Sequence, residues 1–306
     1  MLLQSGVHTQ IQNVLTLVGA GDLTVAKSLT TLEDVRTEYR NLLSRLQDRE
    51  INSNAEQIRI STGYEEVRDL LPLFSNDSLL DDMAQHQVIE AKNDPQATTK
   101  RELIVRALHE LELYSTSHSR LFHTIITDVL ILPSRVAKAG STSQAIGVIW
   151  ANPKPDYTVH DTIEILVHEF THHALFIDEL CHGHYDYASL IDKSSWARSA
   201  ILNTMRPLDK VLHSAAVSME ILALREQTLG HPVRPRVHPP TTVLLNQLDD
   251  CVSSIRQVLS NPESEGLLKP RGHEILNNIE HQLLSLFKRR AVGGLEITSG
   301  TADMRQ

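Results

Sequence analysis

The stretch TIEILVHEFTHHALFIDEL, residues 162–180, contains the pattern HExxH: His168 and His172 are four residues apart, and Glu169 follows the first histidine. Apolar residues recur around this pattern at the spacing of an α-helix. Side chains four residues apart on a helix lie on the same face, about 6 Å from each other. Two imidazoles in that arrangement suit neighbouring ligand positions on one metal ion. The stretch therefore predicts a metal site built on a helix.

The residues before the motif predict where this helix begins. Thr158 is followed three residues later by Asp161, and Asp161 is followed three residues later by Glu164, so both pairs have the order of a capping box. Apolar side chains cover nearly the whole circumference of the predicted helix, which is typical of a buried helix. We expect His168 and His172 to be buried with it and to need polar partners. His173 points away from this pair, and we expect it to have a structural role.

A metal site of this kind needs at least a third protein ligand. The longer pattern HExxHxxGxxH is absent, because Leu175 and Asp178 stand where it requires glycine and histidine. Thermolysin-like zinc peptidases take a glutamate from a later helix, and Glu220 fits that place. His213, seven residues earlier on the same predicted helix, is the other candidate. The residues by themselves leave both alternatives open.

Composition narrows the class of protein. The chain has 306 residues, of which 41% are hydrophobic and 22% charged, an ordinary composition for one large or two modest globular domains. Aromatic residues make up only 4%, which predicts an aliphatic and mainly helical core. A net charge of −9 argues against a nucleic-acid partner, since phosphates require a basic surface. No stretch approaches the ~20 apolar residues that span a bilayer, so we expect no membrane partner.

The cysteines and the N-terminal residues bear on the compartment. Cys181 and Cys251 form neither a CxxC pair nor a disulfide framework, which indicates a reducing environment. Residues 1–21 lack the cationic start of a signal peptide. Together these features predict a cytoplasmic protein.

The order of apolar patterns predicts a mainly helical α+β fold with a small sheet immediately before a buried HExxH helix. We expect an N-terminal helical region over residues 1–120, a metal-binding core over 121–230, and C-terminal helices with a tail over 231–306, all in one compact unit. Besides the motif helix, predicted helices cover 23–48, 65–73, 78–92, 99–117, 196–202, 207–229, 241–259 and 272–290. Predicted strands cover 123–136 and 145–155, the proline-rich residues 230–240 form a linker or strap, and residues 293–306 form a loose tail.

Three stretches together resemble a known family. They are STSQAIGVIW (141–150), ILVHEFTHHAL (165–175) and RPLDKVLHSAAVSMEIL (206–222). In order and spacing they are similar to the serine-rich turn, the HExxH helix and the RPxxxxLH helix of the HExxH-motif peptide-modification family. This family is found with ribosomally made natural products and is described as 2-oxoglutarate-dependent peptide β-hydroxylases. The likeness covers the central third of the chain.

The resemblance implies an Fe(II) site rather than a zinc site. Carried over by position, it implies that His168, His172 and His213 are the metal ligands. It also implies that Arg206 binds a carboxylate of 2-oxoglutarate, because a guanidinium pairs with a carboxylate through two hydrogen bonds. The implied reaction is hydroxylation of the β-carbon of a peptide or amino-acid side chain in natural-product biosynthesis. The substrate class extends to a carrier-bound amino acid or a small molecule.

This sequence also departs from the family pattern. The family has a Trp–Arg segment just before its RP motif, whereas Trp196 and Arg198 stand farther from Arg206. Arg198 is therefore a second candidate for binding the cosubstrate. Glu169 would orient a ligand or a water molecule instead of acting as a base.

Three functional hypotheses remain at this point. The first is the Fe(II)/2-oxoglutarate oxygenase, in which Glu220 could replace or join His213, because non-haem iron sites often contain two histidines and one carboxylate. The second is a zinc metallopeptidase, with Glu169 as the general base that activates metal-bound water and Glu220 as the third ligand. The third is a helical binding protein with a structural metal.

Overall fold

The structure is a computed structural model that describes residues 2–20, 22–52, 57–74 and 88–300, without the side chains of 2–5, 23 and 291–300. Within these ranges the chain is mainly helical with a small sheet, as the sequence predicted. The helices are α1 (Leu2–Gly19), α2 (Leu23–Ser28), α3 (Leu32–Leu46), α4 (Tyr64–Val67), α5 (Ala97–Tyr114), α6 (Thr116–Ile125), α7 (Val159–His182), α8 (Leu208–Leu224), α9 (Thr241–Leu259) and α10 (Pro270–Gly300). The strands are β1 (Arg59–Ser61), β2 (Asp128–Ile131), β3 (Ala139–Gly140), β4 (Val148–Ala151), β5 (Ala197–Arg198) and β6 (Met205–Arg206).

The larger sheet has the strand order β1-β2-β4-β3. The pairs β1–β2 and β2–β4 are parallel, whereas β3 runs antiparallel to β4. Successive side chains of a strand point to opposite faces. Val129 and Ile149 therefore join the main helical core, while Leu130 and Trp150 join a smaller apolar cluster on the other face. A sheet covered on both faces explains why β2 after Asp128 and the whole of β4 consist of apolar residues.

One large apolar cluster connects all three predicted regions of the chain. Val14 in α1, Phe170 in α7 and Leu276 in α10 all belong to it. Helix α7 lies in the middle of this cluster, packed against α1, α5 and α8. None of the helices in the described ranges is long and apolar enough to cross a bilayer.

Of the two capping boxes predicted from the sequence, the Thr158–Asp161 pair begins α7. The Thr158 hydroxyl accepts a hydrogen bond from the Asp161 amide at 3.0 Å, and the Asp161 carboxylate accepts one from the Thr158 amide at 2.9 Å. The helix ends at Gly183, whose φ of 67° lies in the region that favours glycine. These two boundaries fix the register in which the HExxH side chains leave the helix.

His173 joins α7 to the sheet, as its expected structural role requires. Its Nδ1 accepts a hydrogen bond from the Gly147 amide at 3.2 Å, and its Nε2 donates to the Val148 carbonyl at 3.1 Å. Burial lowers the pKa of His173 to about 3, so the ring is neutral, with one donor and one acceptor. Its contacts to the start of β4 set the distance between the sheet and the motif helix.

Two predicted elements in the N-terminal half were wrong in extent. The helix predicted over 23–48 is interrupted between α2 and α3, because Thr31 forms a capping box with Asp34 and starts a new helix. The strand predicted over 123–136 is reduced to Asp128–Ile131, since α6 continues to Ile125. Strand structure forms only where β1 and β4 are available as pairing partners.

The helix predicted over 196–202 was wrong in type. These residues belong to the β5–β6 hairpin, in which Ala197 pairs with Arg206 and Arg198 with Met205. The Ser214 hydroxyl of α8 accepts a hydrogen bond from the Ile201 amide at 3.0 Å, so a tertiary contact replaces a helical one.

Other predictions differ in smaller ways. The helix over 65–73 is a short α4 followed by a 3-10 turn at Leu71–Phe74. Of the helix over 78–92, residues 78–87 lie outside the described residues, and 88–92 are not helical. The predicted tail is helical as far as Gly300, and residues 301–306 lie outside the described part. The helices at 207–229 and 241–259 and the irregular residues 230–240 are confirmed.

Candidate metal centre

Helix α7 brings His168, Glu169 and His172 together. Their ligand atoms all lie within 4.8 Å of one another, which marks this group among the described residues as one that could hold a metal ion. The Nε2 atoms of His168 and His172 are 3.3 Å apart. The four-residue spacing thus brings two imidazole nitrogens together on one face of the helix, as predicted.

Helix α8 adds His213 to this pair. The Nδ1 atoms of His172 and His213 are 3.0 Å apart, and the two rings stack with their planes at 20°. Phe176 packs against both of these rings. His172 presents a different nitrogen to each neighbouring histidine, so binding of all three to one ion requires a ring rotation. The three imidazoles nevertheless form a continuous row across the α7–α8 contact.

The protonation state of the row suits a metal. Burial, with smaller effects of nearby histidines and lysines, lowers the pKa of His168 and His172 well below the ordinary value and lowers that of His213 to about 3. Neutral imidazole is the form that donates a lone pair to a metal ion.

The burial expected for His168 and His172 is only partial, since both side chains are half-buried. His213 is more deeply buried, at 8% exposed. The two motif histidines are therefore partly accessible to solvent. A catalytic metal needs such access because it keeps a coordination position free for substrate or water.

Glu169 lies beside the histidines in an apolar setting. One of its carboxylate oxygens is 3.9 Å from His168 Nε2, and the other accepts a hydrogen bond from the Ser141 hydroxyl. Burial raises the pKa of Glu169 to about 8, although the bond from Ser141 acts in the opposite direction. This carboxyl group can therefore exchange a proton near neutral pH.

Glu220, the alternative third ligand, does not join the cluster. It is completely buried, and its Oε1 lies 3.1 Å from Nε2 of His118 on α6. His118 Nδ1 in turn contacts the Ser115 hydroxyl at 2.9 Å. Seven residues correspond to about 10 Å along a helix axis, so Glu220 and His213 meet different neighbours on α7 and α6. The structure therefore pairs Glu220 with His118 instead of with the motif histidines.

The two candidate arginines lie on opposite faces of the β5–β6 hairpin. Arg206 stands opposite Ala197, which is completely buried, and is itself half-buried. Arg198 stands opposite Met205 on the exposed face, where its guanidinium donates to the Asn203 carbonyl and side-chain oxygens at 3.3 Å. Arg206 is thus the arginine that faces the protein interior, and α8 begins two residues after it.

Three residues that form a chain of contacts behind His168 were missed from the sequence. His238 Nε2 lies 2.8 Å from His168 Nδ1, and His238 Nδ1 lies 2.9 Å from Glu164 Oε2. Arg225 donates to both oxygens of Glu164, from Nε at 2.6 Å and from Nη2 at 2.9 Å. The sequence signal for this network is one charged residue in each of two apolar predicted helices, Glu164 and Arg225. A buried charge requires an opposite charge nearby, so these two residues could have been paired. His238 lies among prolines, where helical periodicity gives no signal.

Comparison of the chain with models of known protein families gave no match, and comparison with curated proteins found no relative. The interpretation of this centre therefore depends on its own geometry and on the resemblance of its three motif stretches.

Proposed function

We propose that this protein is an Fe(II)- and 2-oxoglutarate-dependent oxygenase that hydroxylates the β-carbon of a peptide or amino-acid side chain. The observation that supports this most strongly is the row of His168, His172 and His213 in contact across α7 and α8. Glu220, which the peptidase hypothesis needs as a ligand, is hydrogen-bonded to His118. The resemblance to HExxH-type peptide β-hydroxylases requires this same set of histidines.

The donor set fits a divalent transition metal. Imidazole is a ligand for iron, zinc and several other metals, and three neutral imidazoles leave the charge of the ion uncompensated. His168, His172 and His213 would hold the ion, and a keto acid bound beside it would supply the negative charge that these neutral ligands lack. When bound, Fe(II) supplies the activation of oxygen that is coupled to decarboxylation of 2-oxoglutarate.

The surrounding residues have the roles that this chemistry needs. Arg206, on the same face of the hairpin as the buried Ala197, would bind the distal carboxylate of 2-oxoglutarate. Phe176 packs on the His172 and His213 rings and limits water on that side. Glu169, held by the Ser141 hydroxyl, orients a ligand or a water molecule at the centre. The two free thiols, Cys181 and Cys251, support a reducing cytoplasmic setting. The substrate is a free or carrier-bound peptide or amino acid.

The test is anaerobic loading of the apo-protein with Fe(II) followed by 2-oxoglutarate. A chelated keto acid gives a visible metal-to-ligand charge-transfer band, which we expect for the native protein. We expect the band to require much higher 2-oxoglutarate in Arg206→Ala and to be unchanged in Arg198→Ala, its control on the opposite face of the hairpin. Absence of the band in native protein that binds Fe(II) would reject the proposal.

A zinc metallopeptidase is the second candidate. It is favoured by one observation, which is that Glu169 belongs to the same cluster as His168 and His172 and has a pKa raised by burial to about 8. A carboxylate so placed can remove a proton from metal-bound water. Peptide cleavage by the zinc-loaded protein, without a keto-acid band in the iron-loaded protein, would favour this function.

A further inference from the structure

We propose that His238 is a positioning residue that fixes the tautomer and orientation of the metal ligand His168. This inference rests on the proposed metal centre but not on the reaction that occurs there. His238 lies in the strap, residues 230–240, and is 4% exposed. It forms the middle of a chain of contacts that runs from Arg225 through Glu164 and His238 to His168.

The ionised state of Glu164 decides which atom donates in each hydrogen bond of this chain. Arg225 donates to both carboxylate oxygens, a two-pronged contact that requires the ionised form of the acid. Burial acts to raise the pKa of Glu164, but the bonds from His238 and Arg225 outweigh it and keep the pKa below the ordinary value. An ionised carboxylate can only accept hydrogen bonds. His238 must therefore carry a proton on Nδ1, which donates to Glu164 Oε2 at 2.9 Å.

The same reasoning continues to His168. A metal ion on Nε2 of His168 selects the neutral form of His238, since a cationic His238 would donate from Nε2 and take up the lone pair of His168 Nδ1. In that neutral imidazole, with its proton on Nδ1, the Nε2 atom is an acceptor. The 2.8 Å contact between His238 Nε2 and His168 Nδ1 then requires a proton on His168 Nδ1. The lone pair of His168 is left on Nε2, the atom that lies 3.3 Å from His172 Nε2. The chain of bonds thus presents to the metal the nitrogen that can bind it.

The strap is held in place on both sides of His238. Lys138 donates from Nζ to the carbonyls of Arg236 and Val237 at 2.9 Å. On the other side, Arg225 donates to the Pro239 carbonyl at 2.8 Å. Proline at 239 and 240 further restricts the backbone. His238 therefore reaches His168 from a fixed backbone, and such fixed supports are what hold a metal ligand in its productive orientation.

The experiment measures the affinity of apo-protein for Co(II), by its visible absorption, in native protein and three variants. His238→Leu removes the acceptor, whereas His238→Gln retains one acceptor and one donor at similar length. His231→Leu is the matched control, because it makes the same change in the same strap at a half-exposed side chain that contacts Glu226 and Arg290. Loss of a residue that supports a metal ligand typically weakens binding by about 10- to 100-fold.

We expect about that loss in His238→Leu, with His238→Gln and His231→Leu within about threefold of native protein. In the nitrogen-15 spectrum of the Zn(II)-loaded protein, we expect a protonated Nδ1 on His168 that is retained in His238→Gln. Equal Co(II) affinity in all proteins would overturn the proposal. An equal loss in the Leu and Gln variants would also overturn it, and a lower coordination number in both would identify His238 as a ligand instead. If native protein binds Co(II) but shows no keto-acid band when it is loaded with Fe(II) and 2-oxoglutarate, only the oxygenase proposal is rejected.

Discussion

The Nδ1 atom of His172 lies 3.0 Å from the Nδ1 atom of His213, and this contact joins the motif helix α7 to α8. The two helices are separated along the chain by residues 183–207, which include the β5–β6 hairpin. They nevertheless pack directly against each other in the main apolar cluster. Assembly of the candidate centre therefore depends on the same packing that forms the core.

Replacement of His213 tests the third ligand. We expect His213→Ala to weaken Co(II) or Fe(II) binding by more than about tenfold, because only two imidazoles remain. Glu220→Gln is the comparison, since that side chain is bonded to His118 and should leave metal affinity within about threefold of native while lowering stability by about 1–3 kcal/mol. Metal titration and urea unfolding measure the two effects. The opposite pattern, with metal lost in Glu220→Gln and retained in His213→Ala, would assign the ligand to Glu220.

Replacement of Glu169 separates oxygenase from peptidase. Glu169→Gln keeps the side-chain length and an oxygen that can accept from Ser141, but it cannot take up a proton. Loss of a general base lowers turnover by about 10²- to 10⁴-fold. We expect a much smaller decrease in keto-acid-dependent oxygen consumption, with Co(II) affinity as the check that the site is intact. A decrease of the larger size in peptide cleavage would support the zinc peptidase.

Asp178 is predicted to make the protein sensitive to acid. Its carboxylate accepts from Arg271 at 2.6 and 2.9 Å, from His184 at 2.7 Å and from Asn13 at 2.9 Å, which ties α7 to α1 and α10. Burial acts to raise the pKa of Asp178, but the bonds from Arg271 and His184 hold it far below the ordinary value. A depressed pKa in the folded state stabilises the protein fully above the unfolded pKa of about 4, and this contribution is lost as the pH falls below it.

We therefore expect Asp178→Asn to lower the free energy of unfolding at neutral pH by about 3 kcal/mol, since it leaves buried partners without their charge. The difference from native protein should shrink as the pH is lowered from about 5 to about 3. Urea unfolding across this range measures it, with the exposed Asp249→Asn on α9 as the control. A difference that stays constant with pH would contradict the assigned role of the charge.

Gly147 is predicted to be required for the packing of β4 against α3 and α6. Its φ is +89°, and a Cβ atom there would lie 3.0 Å from a Leu43 methyl and 3.1 Å from the Ile125 carbonyl oxygen. Gly266 has a similar φ of +85° but open space around it, so Gly266→Ala carries only the backbone strain. We expect Gly147→Ala to be less stable than Gly266→Ala by about 1–3 kcal/mol in thermal or urea unfolding. Equal losses of stability in the two variants would show that Leu43 and Ile125 move aside at no cost in free energy.

The amino-acid sequence by itself determined the local features of this protein. The start of α7 at its capping box and the convergence of His168 and His172 follow from interactions within four residues along the chain. Helix α9 was also predicted at its observed bounds, because its apolar spacing and the preceding prolines are local signals.

The tertiary structure alone decided the features that depend on distant partners. The β5–β6 hairpin replaces a predicted helix because Ser214 of α8 bonds to its turn. Glu220 could not be separated from His213 by sequence, since the choice depends on whether α6 or α7 lies opposite each of them. His238 reaches His168 across 70 residues through a strap without periodic structure. Such contacts arise from packing in three dimensions, and no local spacing of residues encodes them.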